Sequence, residues 1–177
     1  MDVLYLDFDG CLHPSDVWYE YGMREPRLRT PGHKLFESVP VLEDAITPYP
    51  ALKIVLSTTW VQTLGFEQAR DRLSESLQRR VIGATYDPDS PNAWRFSRMR
   101  RYDTIALDVR SRRPSRWLAL DDDALGWPGN ESEALAFVPA NLGLKCLTAQ
   151  EQLRSRLAAR FSTRPTGVSS TEDGNGT

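Results

Sequence analysis

Short apolar runs recur along the chain, and their lengths predict the strands of a sheet. Each run spans four to eight residues and is flanked by polar or turn-forming residues. Continuous apolar runs of this length are typical of strands that are buried on both faces of a parallel sheet. We therefore predict strands within residues 3–6, 53–60, 80–85, 116–123 and 134–140.

The segments between these runs show the periodicity of amphipathic helices. Apolar residues recur every three or four positions over residues 66–77, which predicts one continuous helix with a single buried stripe. Residues 148–161 predict another helix, in which Thr148 and Glu151 have the spacing of a capping box. Two shorter helices are predicted at about residues 40–48 and 101–111.

Strands that alternate with helices predict an α/β fold with a Rossmann-like, mostly parallel sheet and helices on both faces. Residues 13–39 fit neither periodicity, and we interpret them as a short flap or hairpin that leaves the first strand. Residues 1–161 form one predicted domain. Residues 162–177 are polar and rich in Gly, Ser and Thr, so we expect a disordered tail there.

Composition and charge narrow the class of protein. With 177 residues, of which 40% are hydrophobic and 26% charged, the chain has the make-up of one soluble globular domain. A net charge of −2 gives no overall attraction to a polyanion, so any nucleic-acid role must rest on a local patch. Two cysteines, the lack of a signal-peptide pattern and the lack of a membrane-spanning apolar run predict a cytoplasmic protein without a membrane partner.

Acidic and hydroxyl side chains follow three of the predicted strands. Asp7 and Asp9 come directly after the first strand, and Ser57 and Thr58 lie near the end of the second. Asp121, Asp122 and Asp123 close a later strand. Because ligands bind at the carboxyl ends of strands in open parallel sheets, we expect these side chains to meet at one edge. Carboxylates gathered in this way need a cation, and an all-oxygen site is the kind that Mg²⁺ prefers.

This group of residues suits phosphoryl transfer. A carboxylate such as Asp7 can attack phosphorus, and Asp9, two positions on, can lie on the same side of an extended chain. Asp9 could then protonate the leaving oxygen and later activate water. A hydroxyl such as Ser57 and a fixed cation would bind the phosphoryl oxygens, and Gly10 would let the backbone turn sharply beside the ligand.

The same residues resemble known motifs. The run DFDGCL at 7–12, after an apolar strand, resembles the first motif of the haloacid-dehalogenase (HAD) superfamily. KIVLS at 53–57 resembles its second motif, and WLALDD at 117–122 resembles its fourth. The third motif is normally a lysine, and here Arg101 is the best candidate, with Arg100 as the alternative. More narrowly, the chain is similar to the compact HAD domain that is attached to bacterial RNA-repair proteins.

The resemblance implies a Mg²⁺-dependent phosphatase with an aspartyl-phosphate intermediate. Asp7 would be the nucleophile, and Asp9 would act as general acid and base. Dehalogenases of the superfamily lack the second aspartate, so Asp9 favours phosphoryl chemistry. Two other classes stay open: a module that binds phosphate or a nucleotide without turnover, and a phospho-accepting receiver domain. A receiver carries its acceptor on a later strand, so it fits this sequence least well.

The resemblance also implies which residues bind the phosphoryl group and the metal. Ser57 and Arg101 would hold the phosphoryl oxygens, with Gly10 and Thr58 beside them. The metal ligands would be Asp7, Asp9 through its backbone carbonyl, Asp122, and Asp121 in a supporting role.

Eight arginines lie between Arg95 and Arg116. They predict either a track for a nucleic-acid backbone that leads to the site or a solvated helix with flanking loops. The intervals on either side of Ser57 are too short for a large cap domain, so we expect an open site. An open site would admit a large substrate, such as the phosphorylated end of a polynucleotide.

Several residues near the proposed site have two interpretations. His13 could touch the substrate or belong only to the loop after the first strand. Trp18, Tyr19 and Tyr21 could stack on a base, but aromatic residues in a short hairpin more often pack on the core. Trp60 is most simply a core residue.

Overall fold

The computed structural model describes residues 1–19, 25–91, 93–96 and 98–162. Short strands and helices alternate along these residues. In chain order they are β1 (Asp2–Leu6), β2 (Val17–Trp18), β3 (Arg27–Leu28), α1 (Val39–Ile46), β4 (Lys53–Leu56), α2 (Trp60–Leu64), α3 (Phe66–Arg70), α4 (Glu75–Gln78), β5 (Val81–Ala84), α5 (Ala93–Phe96), α6 (Arg101–Arg112), β6 (Arg116–Asp121), β7 (Leu135–Phe137) and α7 (Leu147–Phe161). Two 3₁₀ helices, Gly129–Ala134 and Gly143–Lys145, flank β7.

Five strands form one parallel sheet in the order β5–β4–β1–β6–β7. β1 lies at its centre, where Leu4 pairs with Ile54 on one side and with Leu118 on the other. The strands that precede the predicted hydroxyls and acids, β4 and β6, are therefore the neighbours of β1. The predicted Rossmann-like α/β fold is confirmed.

Alternate residues of β1 face two different cores. Leu4 and Leu6 belong to the larger core, which α1 and α7 close. Val3 and Tyr5 belong to the smaller core on the other face, together with Ile105 of α6. These four side chains are fully buried. Burial on both faces explains why this strand is a continuous apolar run rather than an alternating one.

The prediction of one continuous helix over residues 66–77 is wrong, because two shorter helices, α3 and α4, occupy this stretch. Ser74 has an extended backbone (ψ 156°), and its hydroxyl donates to Glu43 at 2.5 Å. The chain therefore turns before α4. Leu73 and Leu77 are nevertheless buried, as the apolar stripe predicts.

The capping box predicted for the C-terminal helix is also wrong. α7 begins at Leu147, so Thr148 already lies inside its first turn. Cys146 occupies the N-cap position without a side-chain hydrogen bond, and its carbonyl accepts from the N–H of Gln150. The apolar stripe of this helix is as predicted, with Leu153 buried.

β2 and β3 form the predicted hairpin between the first strand and α1. Val17 pairs with Leu28 in antiparallel register. Trp18 and Tyr19 are 46% and 43% exposed, so their expected packing on the core is wrong. β2 and β3 have only two residues each, and a hairpin this short does not fold these rings back onto the sheet. Trp18 instead stacks on the guanidinium of Arg29, 3.9 Å from the ring centroid.

Some predictions fall outside the described residues. Tyr21 is one of them, and the predicted tail lies outside from residue 163 onward. Within the described ranges, no helix is both long enough and apolar enough to cross a membrane.

Candidate active site

Asp7 lies at the end of β1, at the sheet edge where the neighbouring strands also end. Its backbone N–H donates to the carbonyl of Leu120 at 3.1 Å, which extends the pairing with β6 by one residue. The side chain is buried, and its Oδ1 accepts from the N–H of Phe8 at 2.8 Å. Its Oδ2 accepts from Nη2 of Arg101 at 3.0 Å. The register of the strands thus fixes a buried carboxylate with one backbone donor and one cationic partner.

Asp121, the last residue of β6, and Asp122 form an acidic cluster with Asp7. One carboxylate oxygen of each residue lies within 4.8 Å of those of the other two. Oδ1 of Asp121 accepts from the N–H of Asp123 at 3.0 Å. Its buried Oδ2 accepts no well-aligned hydrogen bond from the described residues and has only the ion pair with Arg101, whose Nε lies 3.2 Å away. Three clustered carboxylates, with few hydrogen-bond donors among the described residues, are a donor set that could hold a divalent cation. The residues present therefore fit a divalent metal ion.

Arg101 is the first residue of α6, and its guanidinium contacts all three strand ends. Besides its bond to Asp7, its Nε lies 3.2 Å from Oδ2 of Asp121. Its Nη1 donates to the backbone carbonyl of Ser57. Arg100 occupies the N-cap of the helix and is exposed. Of the two candidates for the third motif, Arg101 is the one that lies against the acidic cluster.

Burial dominates the electrostatics of this cluster. It raises the pKa of Asp7 to about 7; the charge of Arg101 opposes this shift and that of Asp9 adds to it. Burial also raises the pKa of Asp121, and the charge of Asp7 raises it further. The pKa of Asp122 is raised by burial as well, against the charge of Arg101. One guanidinium does not compensate three partly or fully buried carboxylates, so the cluster favours either a bound cation or a bound proton.

Gly10 makes room for Asp122. Its φ of +70° lies in the left-handed region, which favours glycine. A Cβ at this position would overlap the carboxylate of Asp122. The glycine of the first motif therefore allows the acid of the fourth motif to approach the loop.

Ser57 and Thr58 follow β4 at the same edge of the sheet. The N–H of Ser57 donates to the carbonyl of Leu6 at 2.8 Å, so the β4–β1 pairing also extends by one residue. Oγ of Ser57 is buried and has no hydrogen-bond partner among the described residues. Thr58 is also buried, and its Oγ1 accepts from the N–H of Trp60 at 3.4 Å. Ser57 thus offers a buried hydroxyl without a partner in the described residues, whereas the Thr58 hydroxyl already accepts one hydrogen bond.

The Asp9 carboxylate lies outside the acidic cluster and is held by two aromatic residues. Its Oδ1 accepts from Nε1 of Trp60 at 2.9 Å and is 3.1 Å from Nε2 of His13. Both rings are buried. From the sequence we predicted no chemical role for Trp60, and the role of His13 stayed open. The four-residue spacing from Asp9 to His13 is a signal in the sequence for their contact. No sequence signal indicates the contact between Asp9 and Trp60, which are 51 positions apart.

Three of the eight arginines between Arg95 and Arg116 form ion pairs with aspartates. Arg112 and Arg116 each form an ion pair with an aspartate, at 2.8 and 2.5 Å, and Arg101 belongs to the acidic cluster. Arg98 and Arg100 are exposed and have no ion-pair partner in the described part of the chain. These two arginines line the cavity that also contains Arg101.

Two cavities open at this edge of the sheet. One of about 110 Å³ lies between the hairpin and α2, and it is lined by Asp9, Tyr19 and Trp60 among others. The other, of about 370 Å³, lies between α2 and the start of α6. Its polar and charged lining residues are Thr59, Gln62, Arg98, Arg100, Arg101, Thr104 and Asp123. Thr59 lines both cavities, so they are adjacent.

Comparison with known proteins gives an independent result. Residues 3–149 match the family model described as the HAD domain in Swiss Army Knife RNA repair proteins. The matched range contains every site residue named above. No curated protein and no solved structure matches the chain at a significant level.

Proposed function

The chain belongs to the family of HAD domains in Swiss Army Knife RNA repair proteins, and on this premise we propose that it is a Mg²⁺-dependent phosphatase. It cleaves phosphate monoesters through an aspartyl-phosphate on Asp7. The observation that carries this proposal is a buried carboxylate, Asp7, that lies within one cluster with two further acids and with Arg101. A purely structural strand end does not need three carboxylates whose charges oppose one another.

In the first step, an oxygen of Asp7 attacks the phosphorus, and the bond between the phosphorus and the leaving oxygen breaks. The leaving oxygen takes the proton of the Asp9 carboxyl, so an alcohol departs and the phosphoryl group stays on Asp7. Asp9 is then a carboxylate. Its position supports this role, because its side chain is partly exposed and lines the smaller cavity.

In the second step, water attacks the phosphorus of the aspartyl-phosphate. The Asp9 carboxylate takes a proton from this water, and the bond between the phosphorus and the Asp7 oxygen breaks. Inorganic phosphate leaves. Asp7 is again a carboxylate and Asp9 is again protonated, so the cycle closes.

The phosphoryl oxygens are bound by Arg101 and Ser57. Arg101 already lies against Asp7, so its charge is close to the group that is transferred. The buried hydroxyl of Ser57 lacks a partner among the described residues, and a phosphoryl oxygen would accept its proton. Gly10 and Thr58 line the same strand ends and complete the phosphate site through their backbones.

The residues suited to hold Mg²⁺ are Asp7, Asp122 and the backbone carbonyl of Asp9, with Asp121 in support. When bound, the ion supplies positive charge that reduces the repulsion between the carboxylates and an anionic substrate. The close approach of the three carboxylates and the raised pKa values of these acids support this assignment.

The substrate we propose is the phosphorylated end of a nucleic acid. The description of the family, which places its domains in RNA repair proteins, supports this choice. Between β1 and β4 the described residues contain only the β2–β3 hairpin and α1, so no large cap covers the site there. Arg98 and Arg100 line the larger cavity and could contact the next phosphates of a polynucleotide chain.

Hydrolysis of 4-nitrophenyl phosphate, with and without Mg²⁺, tests the proposal. We expect metal-dependent turnover that falls at least about a thousandfold in Asp7→Asn. Asp103→Asn is the matched control, because Asp103 is an exposed acid on α6. It should turn over like the wild type. A protein that binds phosphate in the presence of Mg²⁺ but shows no turnover would instead be a binding module.

A further inference from the structure

We infer that His13 and Trp60 are positioning residues for Asp9. They hold Oδ1 of the carboxyl and leave Oδ2 to exchange the proton with the leaving group and with water. The inference rests on the proposed function and adds to it the residues that orient the general acid.

Both contacts converge on one oxygen of the Asp9 carboxyl. Nε1 of Trp60 donates to Oδ1 at 2.9 Å, and Nε2 of His13 lies 3.1 Å from the same atom. Oδ2 accepts no hydrogen bond from the described residues. The side chain is 27% exposed and lines the cavity between the hairpin and α2. The oxygen that is free to react is therefore Oδ2.

A backbone contact fixes the direction of the His13 ring. Nδ1 accepts from the N–H of Phe36 at 3.2 Å, so this nitrogen carries a lone pair. In the neutral ring the proton is then on Nε2, which donates to Asp9. The ring is fully buried and packs edge to face on Phe36, with the centroids 4.9 Å apart. His13 therefore presents a single N–H to the carboxyl in a fixed direction.

Packing fixes the indole of Trp60 in the same way. The residue opens α2, directly after the hydroxyls that follow β4. Its ring is 3% exposed and contacts Phe8 and Phe36, with centroids 6.0 and 5.0 Å apart. A buried indole N–H requires an acceptor, and Asp9 provides it. The Trp60 side chain thus connects the proposed phosphate-binding residues Ser57 and Thr58 to the Asp9 carboxyl.

This arrangement has a chemical consequence. When Asp9 is protonated, Oδ1 is the oxygen that accepts two N–H bonds, so the proton is carried by Oδ2. As the phosphorus–oxygen bond breaks, this proton passes to the leaving oxygen, and the two donors stabilise the carboxylate that results. Without them the carboxyl can rotate, and the proton is less often aligned with the leaving oxygen.

Two esters of similar shape but different leaving groups separate this role from a structural one. Phenyl phosphate needs protonation of its leaving oxygen, whereas 4-nitrophenyl phosphate expels a stabilised phenolate with little help. Trp60→Phe keeps the ring packing and removes the N–H. We expect kcat on phenyl phosphate to fall about tenfold and kcat on 4-nitrophenyl phosphate to fall less than about threefold. Trp117→Phe, in the core on the other face of the sheet, should show no such selectivity.

His13 gives a second pair of variants. His13→Gln can keep an N–H close to the position of Nε2, whereas His13→Met removes it. The glutamine variant should retain the wild-type ratio of the two rates, and the methionine variant should show the selective loss on phenyl phosphate. In an Asp9→Asn background, Trp60→Phe should cause no further selective loss, because the group that it orients is gone.

An NMR experiment reports on the contact without turnover. In the ¹⁵N-labelled protein, the indole N–H resonance of Trp60 should shift in Asp9→Asn but not in Asp103→Asn. Equal losses on both esters in Trp60→Phe, or an unchanged indole resonance in Asp9→Asn, would overturn the inference while the phosphatase stands. A wild-type protein that turns over neither ester would overturn the proposed function and this inference together.

Discussion

Nη2 of Arg101 lies 3.0 Å from Oδ2 of Asp7, and both side chains are largely buried although the residues are 94 positions apart. The contact joins the start of α6 to the end of the central strand. The same guanidinium lies 3.2 Å from Asp121, so a single cation serves two of the three acids. The positive charge of Arg101 therefore balances part of the negative charge of the site before any ligand binds.

Arg101→Met should destabilise the metal-free protein. The change leaves two buried carboxylates without their cationic partner, which typically costs about 3 kcal/mol or more. We expect this loss in the free energy of unfolding, measured by urea denaturation at pH 7.5. Arg100→Met is the matched control, because Arg100 is exposed, and it should change the free energy by about 0.5 kcal/mol or less. Equal losses in the two variants would contradict the assignment.

The stability of the metal-free protein should fall as the pH rises from 5 to 8. Because burial raises the pKa of Asp7 to about 7, the folded protein binds more protons than the unfolded chain between about pH 4 and pH 7. The stability associated with this group is therefore present at low pH and is lost as the pH passes the folded pKa. We expect a decrease of at least about 1.4 kcal/mol, the equivalent of one pKa unit.

Urea denaturation at both pH values, in the presence of a chelator, measures this decrease. Asp7→Asn should reduce it, and Asp103→Asn should leave it unchanged. Mg²⁺ should raise the melting temperature more at pH 8 than at pH 5, because the ion binds deprotonated carboxylates. A melting temperature that does not respond to Mg²⁺ at pH 8 would count against the metal site.

Gly10→Ala should abolish the stabilisation by Mg²⁺. The added methyl group would overlap the Asp122 carboxylate, and the backbone has a positive φ of 70°. Gly32→Ala is a matched control, because Gly32 has a φ of 80° but nothing within 4 Å of the added Cβ. It should cost only the backbone strain of about 1–2 kcal/mol and keep the response to Mg²⁺. A similar response to Mg²⁺ in the two variants would show that Asp122 is not needed for the metal.

Removal of Arg98 and Arg100 should weaken the action on nucleic-acid ends selectively. In Arg98→Ala/Arg100→Ala we expect KM to rise for an oligoribonucleotide with a terminal phosphate and to stay unchanged for 4-nitrophenyl phosphate. The slope of log(kcat/KM) against log salt concentration should decrease by about 1.4, the value for two lost contacts to a single strand. Arg79→Ala, which removes an exposed arginine that lines neither cavity, is the control. An unchanged slope would favour the solvated-surface interpretation of these arginines.

The parts of the site that lie on strand ends could be predicted from the sequence. Asp7, Ser57 and Asp121 each come directly after or at the end of an apolar run, and parallel strands deliver such positions to one edge. The third motif could not be chosen in the same way. Arg100 and Arg101 are adjacent in sequence, and only the phase of α6 decides that Arg101 turns inward.

Contacts between distant segments account for what the sequence did not predict. A large aromatic residue such as Trp60 is expected in a core. Nothing in the neighbouring sequence indicates that its N–H lies against Asp9. The break between α3 and α4 coincides with Ser74, whose hydroxyl donates to Glu43 on α1. A helical stripe indicates which residues are buried, but it does not show where a contact with another element accompanies the end of a helix.

The most direct measurement asks whether Asp7 becomes phosphorylated. The protein is mixed with 4-nitrophenyl phosphate and Mg²⁺, quenched in acid, and analysed by intact and peptide mass spectrometry. We expect a mass increase of one phosphoryl group on the peptide that contains Asp7, and no such increase in Asp7→Asn. Metal-dependent turnover that persists in Asp7→Asn, or a phosphoryl group on another residue, would contradict this expectation.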